Sequence, residues 1–235
     1  MMEECVVAFI DLLGFRSIIK GGNDQRQQEI LMLLQSLAEA SGEFKLDTIY
    51  EDDNRREISL KPAISSFSDC VVFSFPIKIC ASEFQTRPLA PVIHYLAHDI
   101  ARIFSRAIKF GCLVRGAVTI GQLHHSNGVV FGSALVDAYE HETKYARFPR
   151  VILSERAAER IGEAYFLKVD SDGFTYIDFV EASYQQARGD RGWIGSVRDR
   201  CRMEIETLSK CENAAGLQYW RWFQNFFEHL VISHS

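Results

Sequence analysis

The sequence predicts a mixed α/β domain with a helical C-terminal appendage. Short valine- and isoleucine-rich runs alternate with segments of helical periodicity as far as about Phe179. Beyond that point Trp220, Phe223, Phe226, Phe227 and Leu230 recur at helical spacing. Of the 235 residues, 47% are hydrophobic, which is enough to bury a core and argues against disorder. Residues 1–180 form the expected main domain and residues 181–235 the appendage.

The first element is a strand. Cys5 to Leu13 is apolar except for Asp11, and Gly14 follows it. Asn23 or Asp24 caps a helix whose apolar face is Ile30, Leu33, Leu34 and Leu37, and Gly42 ends it. Glu51 to Glu57 is charged and expected at the surface. Ala63–Phe67 and Cys70–Phe75 read as the arms of a hairpin around the two-residue turn Ser68-Asp69. Val92 to Phe110 is a helix that Gly111 stops. Cys112 to Ile120 is a strand, and Leu123 to Phe131 is a second hairpin turned at Ser126-Asn127-Gly128. A helix over Ser133 to Tyr145, a strand over Arg150 to Leu153, a helix capped by Ser154 and a hairpin around Ser171-Asp172-Gly173 complete the pattern. Glu181 to Arg202 is polar and arginine-rich. Arg188, Arg191, Arg198, Arg200 and Arg202 are read there as solvated rather than phosphate-binding, and the aromatic tail as a packing or dimer face.

The bulk properties exclude several functions. A net charge of −5 gives no basic surplus for gripping a long nucleic acid. No apolar run approaches the ~20 residues of a membrane helix, and the N-terminus lacks the basic-then-apolar pattern of a signal peptide. The six cysteines form no CxxC pair, which points to a reduced, cytoplasmic protein without a zinc site. His124 and His125, adjacent on a strand, face opposite sides and do not make a ligand pair.

Two carboxylates stand out. Asp11 interrupts a buried strand, where a charge is costly unless it is paired or bound to a cation, although an Asp at a strand end also caps a turn. Asp69 sits at a hairpin tip, where Ser-Asp is ordinary turn chemistry. A strand ending in Asp, then a helix, then a hairpin tipped by Asp is the layout of a ferredoxin-like palm. In that layout the carboxylates converge and can hold two Mg²⁺ or Mn²⁺ ions on a triphosphate.

These segments resemble the class III nucleotidyl cyclases over roughly residues 5–180. Phe9-Ile10-Asp11-Leu12-Leu13-Gly14-Phe15 is similar to that family's first metal motif, and Ser66-Phe67-Ser68-Asp69 to its second. Arg115 to Gly121 looks like the family's central strand, and Phe131-Gly132-Ser133 resembles its strand-to-helix step. The resemblance implies that Asp11 and Asp69 are catalytic, with Asp11, Ile10 and Asp69 as metal ligands. It also implies triphosphate contacts from Leu12, Gly14, Phe15 and Arg115, the backbone N–H groups of a helix beginning at Leu12 to Phe15 among them. The family builds composite sites across a homodimer.

The departures bear on the base. The position of the usual purine-reading Lys is Ala63, with Lys61 two residues earlier, and that of a second base-reading Asp is Val129. The usual Asn and Arg of the following helix are replaced by Val136 or Asp137 and by Tyr139 or Glu140. Altered base readers and an Ala138-Tyr139-x-x-Glu142 run resemble the pyrimidine cyclases of bacterial anti-phage signalling, the Pycsar system. Those make cyclic UMP or cyclic CMP for a separate effector, often a membrane protein. Tyr50 and Lys61 are the candidate base contacts. UTP is expected before CTP. A purine cyclase, or a catalytically dead domain that senses nucleotide, is the alternative.

Overall fold

The structure is a computed structural model and describes residues 1–21, 24–39, 44–46, 58–60, 62–78, 89–211 and 213–233. Its frame is one mixed sheet with helices on both faces, an α/β fold. The strands are β1 (Glu3–Leu13), β4 (Ala63–Phe67), β5 (Cys70–Pro76), β6 (Leu113–Ser126), β7 (Val129–Phe131), β8 (Val151–Leu153), β9 (Leu167–Val169) and β10 (Thr175–Ile177). They run in the order β4-β5-β1-β6-β8-β10-β9, with β7 paired to the far end of β6. Two further short strands, β2 (Phe44–Leu46) and β3 (Ile58–Leu60), pair with each other apart from this sheet.

β1 lies between β5 and β6, antiparallel to both. Successive side chains of a strand point to opposite faces, so β1 splits its residues cleanly. Val6, Ala8, Ile10 and Leu12 enter the main core, while Cys5, Val7 and Phe9 enter a smaller cluster on the other face, and the alternation sends Asp11 to that second face. The main core is closed by α3 (Ala90–Ala107), whose Val92, Leu96, Ile100 and Phe104 are fully buried. The second face is covered by α4 (Ser133–Tyr145). The remaining helices are α1 (Phe15–Lys20), α2 (Asp24–Glu39), α5 (Glu155–Ile161), α6 (Phe179–Gln186), α7 (Arg191–Lys210) and α8 (Ala214–Ser233).

β6 differs from its sequence reading. It runs unbroken from Leu113 to Ser126, where a strand stopping at Ile120 was expected. Gly121 does not end the strand. A Cβ there would lie 3.2 Å from the Ala134 Cβ, so the missing side chain gives α4 room to lie close on the sheet. Gly132 launches α4 at φ 152, and a Cβ there would collide with the Gln122 carbonyl. The helix is then fastened by the Thr119 hydroxyl, which donates to the Ala134 carbonyl at 2.9 Å.

The polar stretch after Phe179 is helical, and three of its arginines are engaged. Arg198 donates to Glu228, Arg200 to Glu204 and the Lys109 carbonyl, and Arg202 to Asp199. The aromatic face of α8 packs within its own chain. Trp220, Phe223, Phe227 and Leu230 belong to the main core, with Phe223 5.3 Å from Phe104, ring to ring. Phe223→Ala is therefore expected to cost about 3–5 kcal/mol. Chemical denaturation should show that loss in a single transition of the whole protein. A separate early transition of the tail would contradict a shared core.

Candidate metal centre

The end of β1 and the tip of the β4–β5 hairpin meet by register. Asp11 stands opposite Cys70 on β5 and opposite Arg115 on β6. The hairpin turns tightly at Ser68-Asp69, with Ser68 at φ 56. Its tip is pinned to β1 because the Leu12 N–H donates to the Asp69 carbonyl at 3.0 Å. Among the described residues, ligand atoms of Asp11, Asp69 and Cys70 all lie within 4.8 Å of one another.

Cys70 was not singled out from the sequence, although it directly follows Asp69. Its sulfur lies 4.0 Å from Asp11 Oδ1 and 3.9 Å from Asp69 Oδ1. Burial, then the charges of Asp11 and Asp69, push the thiol up to about 12. Without a metal the thiol is a weak donor to the two carboxylates. The two carboxylates suit a hard divalent cation such as Mg²⁺ or Mn²⁺.

Asp11 is itself perturbed. Burial raises its carboxyl from an ordinary 3.8 to about 6. Arg115 opposes the rise, while Glu142 and Asp69 add to it. A cation would remove the cost of this buried charge. Arg115 Nη2 lies 3.3 Å from Asp11 Oδ2 and is also ion-paired to Glu142. The Arg115 Nε–H is buried with no hydrogen-bond partner among the described residues.

Glu142 arrives by helix geometry. Ala134, Ala138 and Glu142, four residues apart, are the buried row of α4 that faces the sheet. The Ala138-Tyr139-x-x-Glu142 run contained this residue, but its meeting with Arg115 depends on how α4 docks. Tyr139, half exposed on the same helix, sits edge-on to Phe9 with ring centroids 5.7 Å apart.

The other candidates are distributed as follows. Leu12 belongs to β1, its side chain is buried on the opposite face, and its N–H is taken by Asp69. α1 begins at Phe15, the last residue of the expected Leu12 to Phe15 range, so the Leu12 amide belongs to the strand end and not to the helix. Gly14, in the left-handed region at φ 100, makes the turn between strand and helix, and Phe15 packs against the main core. Ile10 is buried on the core face, so its side chain offers nothing to an ion beside Asp11. Tyr50 and Lys61 lie outside the described residues, as do Asn23, Gly42 and the charged stretch 51–57.

Ala63 pairs with Ser74, four positions along the ladder from Asp11. Val129, exposed, pairs with Ser126, beyond the Glu3 end of β1. Eight residues of strand separate Asp11 from Glu3, about 26 Å. Asp11 and Val129 of one chain therefore do not share a site. His125 is not a metal ligand partner of His124. Its two ring nitrogens are each 2.8 Å from a serine hydroxyl, Ser65 and Ser74.

No protein-family model matches the chain, and no curated protein does. Among solved structures it is similar to the catalytic core of a rhodopsin-guanylyl cyclase with converted specificity in complex with ATPαS, at 14% identity. That match covers 75% of this chain and 96% of the other, with a TM-score of 0.46. It is also similar to the guanylate cyclase domain of RhGC from Catenaria anguillulae in complex with GTP, at 14% identity over 75% and 95% of the two chains and a TM-score of 0.44. A third, an adenylate/guanylate cyclase/hydrolase from Silicibacter pomeroyi, is 13% identical over 75% and 95%, with a TM-score of 0.39.

Proposed function

We propose that this chain is a nucleotidyl cyclase, a phosphorus–oxygen lyase that closes a pyrimidine nucleoside triphosphate, UTP before CTP, to its 3′,5′-cyclic monophosphate. The observation that carries this reading is the meeting of Asp11 and Asp69 at one end of β1, with ligand atoms within 4.8 Å and Arg115 beside them. Two Mg²⁺ or Mn²⁺ ions held there would acidify the ribose 3′-hydroxyl and offset charge on the phosphates. Asp11, fixed between two ladder partners, and Asp69, fixed by the Leu12 hydrogen bond, set where the triphosphate lies. Arg115 adds a fixed positive charge toward the phosphates. The 3′-oxygen bonds to the α phosphorus, the bond from that phosphorus to its bridging oxygen breaks, and diphosphate leaves. The hydroxyl proton passes to water.

The pyrimidine preference rests on Ala63 and Val129, whose side chains offer a purine no hydrogen bond, each loss being worth about 1–3 kcal/mol. Tyr50 and Lys61 are the proposed positive readers. Because Val129 lies about 26 Å or more from Asp11, its part in a site needs a second copy, and we assign the active form as a homodimer. Catalysis is assigned to residues 1–180, with 181–235 as an appendage that completes the core. No helix among the described residues is long and apolar enough to cross a membrane. By the resemblance to the Pycsar enzymes, the product acts in the cytoplasm on a separate effector in anti-phage defence.

Incubation with each of ATP, GTP, CTP and UTP and Mn²⁺, followed by chromatography of the products, tests the reading. Cyclic UMP as the main product is expected. Cyclic AMP or cyclic GMP as the main product replaces the pyrimidine reading with a purine one. Absence of any cyclic product with intact binding leaves a nucleotide sensor.

A further inference from the structure

The guanidinium beside the metal centre is shared between two carboxylates. Arg115 Nη2 makes its close ion pair with Glu142, and its contact with Asp11 Oδ2 is the longer one, at 3.3 Å. Glu142 is only 3% exposed, and its other oxygen accepts from the Thr143 hydroxyl at 3.1 Å. An arginine facing a lone carboxylate ordinarily closes to a two-pronged contact of about 2.7–2.9 Å. Such a clasp on Asp11 would occupy the oxygens that a cation needs. With Glu142 present the guanidinium is drawn toward α4 instead, and Asp11 Oδ1 remains turned toward Cys70.

We infer that Glu142 is a positioning residue that holds the Arg115 guanidinium back from Asp11 and so leaves that carboxylate open to a divalent cation. The local charge agrees. Among the described residues, the charges acting on Asp11 are the guanidinium of Arg115 and the carboxylates of Glu142 and Asp69, an excess of negative charge that divalent cations would offset. The inference rests on the metal-centre part of the proposed function and does not depend on the substrate or on turnover.

The competing explanation is that Glu142 merely adds negative charge. Two variants separate them. Glu142→Asp keeps the charge but withdraws the carboxylate by one methylene, and Glu142→Gln removes the charge. Mn²⁺ affinity is read from the free-ion EPR signal, with no substrate present, and folding is checked by circular dichroism. Glu142→Gln is expected to weaken Mn²⁺ binding about 10-fold or more, the usual scale for a residue that orients a ligand. Glu142→Asp, which keeps the buried charge balanced and so should fold, is expected to weaken binding several-fold. In an Arg115→Gln background, where no guanidinium is left to restrain, Glu142→Gln should change the affinity less than about 2-fold. Equal losses in both backgrounds, or unchanged affinity in Glu142→Asp, overturn the inference. A wild-type protein that binds no Mn²⁺ removes the metal centre itself.

Discussion

Asp11→Asn is expected to abolish turnover and, in the same protein, to raise the melting temperature of the metal-free form at pH 7. The loss follows from removing one of the two proposed metal ligands. Transition-state charge stabilised through a cation is worth several kcal/mol, or at least about 10³-fold in rate. Asp69→Ala should lose activity to the same extent. The gain in stability follows from the carboxyl itself, raised from 3.8 to about 6 mainly by burial. A group whose folded value is raised stabilises the fold fully below its unfolded value and loses that contribution as pH rises through the folded one. The metal-free wild type should therefore gain up to about 3 kcal/mol from Asp11 as pH falls from about 6 to about 4. Asn, with no charge to bury, should hold that stability at neutral pH, worth roughly 5–10 °C. Scanning calorimetry in EDTA at pH 7 and pH 4.5 measures both. A variant that melts below wild type at pH 7 would show that the buried charge is already well compensated without metal. With saturating Mn²⁺ the wild-type order should reverse, because the bound form needs the ionised carboxylate and its stabilisation fades below about pH 6.

The second large effect lies at Arg150, away from the metal centre. Its side chain is 1% exposed and pairs with both Asp170 and Asp172 at the β9–β10 turn. The guanidinium lies 5.8 Å from the Phe174 ring and 5.9 Å from Trp222, which ties the hairpin to α8. Arg150→Ala leaves the two carboxylates without their shared cation and opens a cavity. It should cost about 3–5 kcal/mol, roughly 10 °C in melting temperature. Arg150→Lys should recover only part, since an ammonium cannot fork to two carboxylates. Full recovery by Lys would mean that charge alone matters and the planar geometry does not.

The parts of the fold that were legible in the sequence are those written locally. The apolar run broken by Asp11, and the Ser68-Asp69 turn between two strand arms, announce themselves through periodicity and turn chemistry; the first arm keeps its bounds, the second runs on to Pro76, and β1 starts two residues earlier, at Glu3. Tertiary reasons are harder to read. Gly121 lies just past the strand end expected at Ile120, yet it serves the approach of a helix that begins twelve residues later. Glu142 is marked in sequence only as the end of the Ala138-Tyr139-x-x-Glu142 run, and its partner Arg115 emerges only when α4 is laid on β6. The arginines of α7 read as solvated, but their carboxylate and carbonyl partners include groups on α8 and at Lys109 that no local pattern foretells.

The burial of α8 against α3 also orders the events of synthesis. Phe104 reaches its partners Phe179 and Phe223 only after a further 75 and 119 residues have followed it into the chain. Until then the greasy side of α3 is without part of its cover. The nascent sheet can pair β1 with β5 and β6 while its back remains open, a state prone to sticking to other chains. Completion of the edge that carries Asp11 and Asp69 and completion of the core are thus separated in time, and a ribosome paused before α8 would display the first without the second.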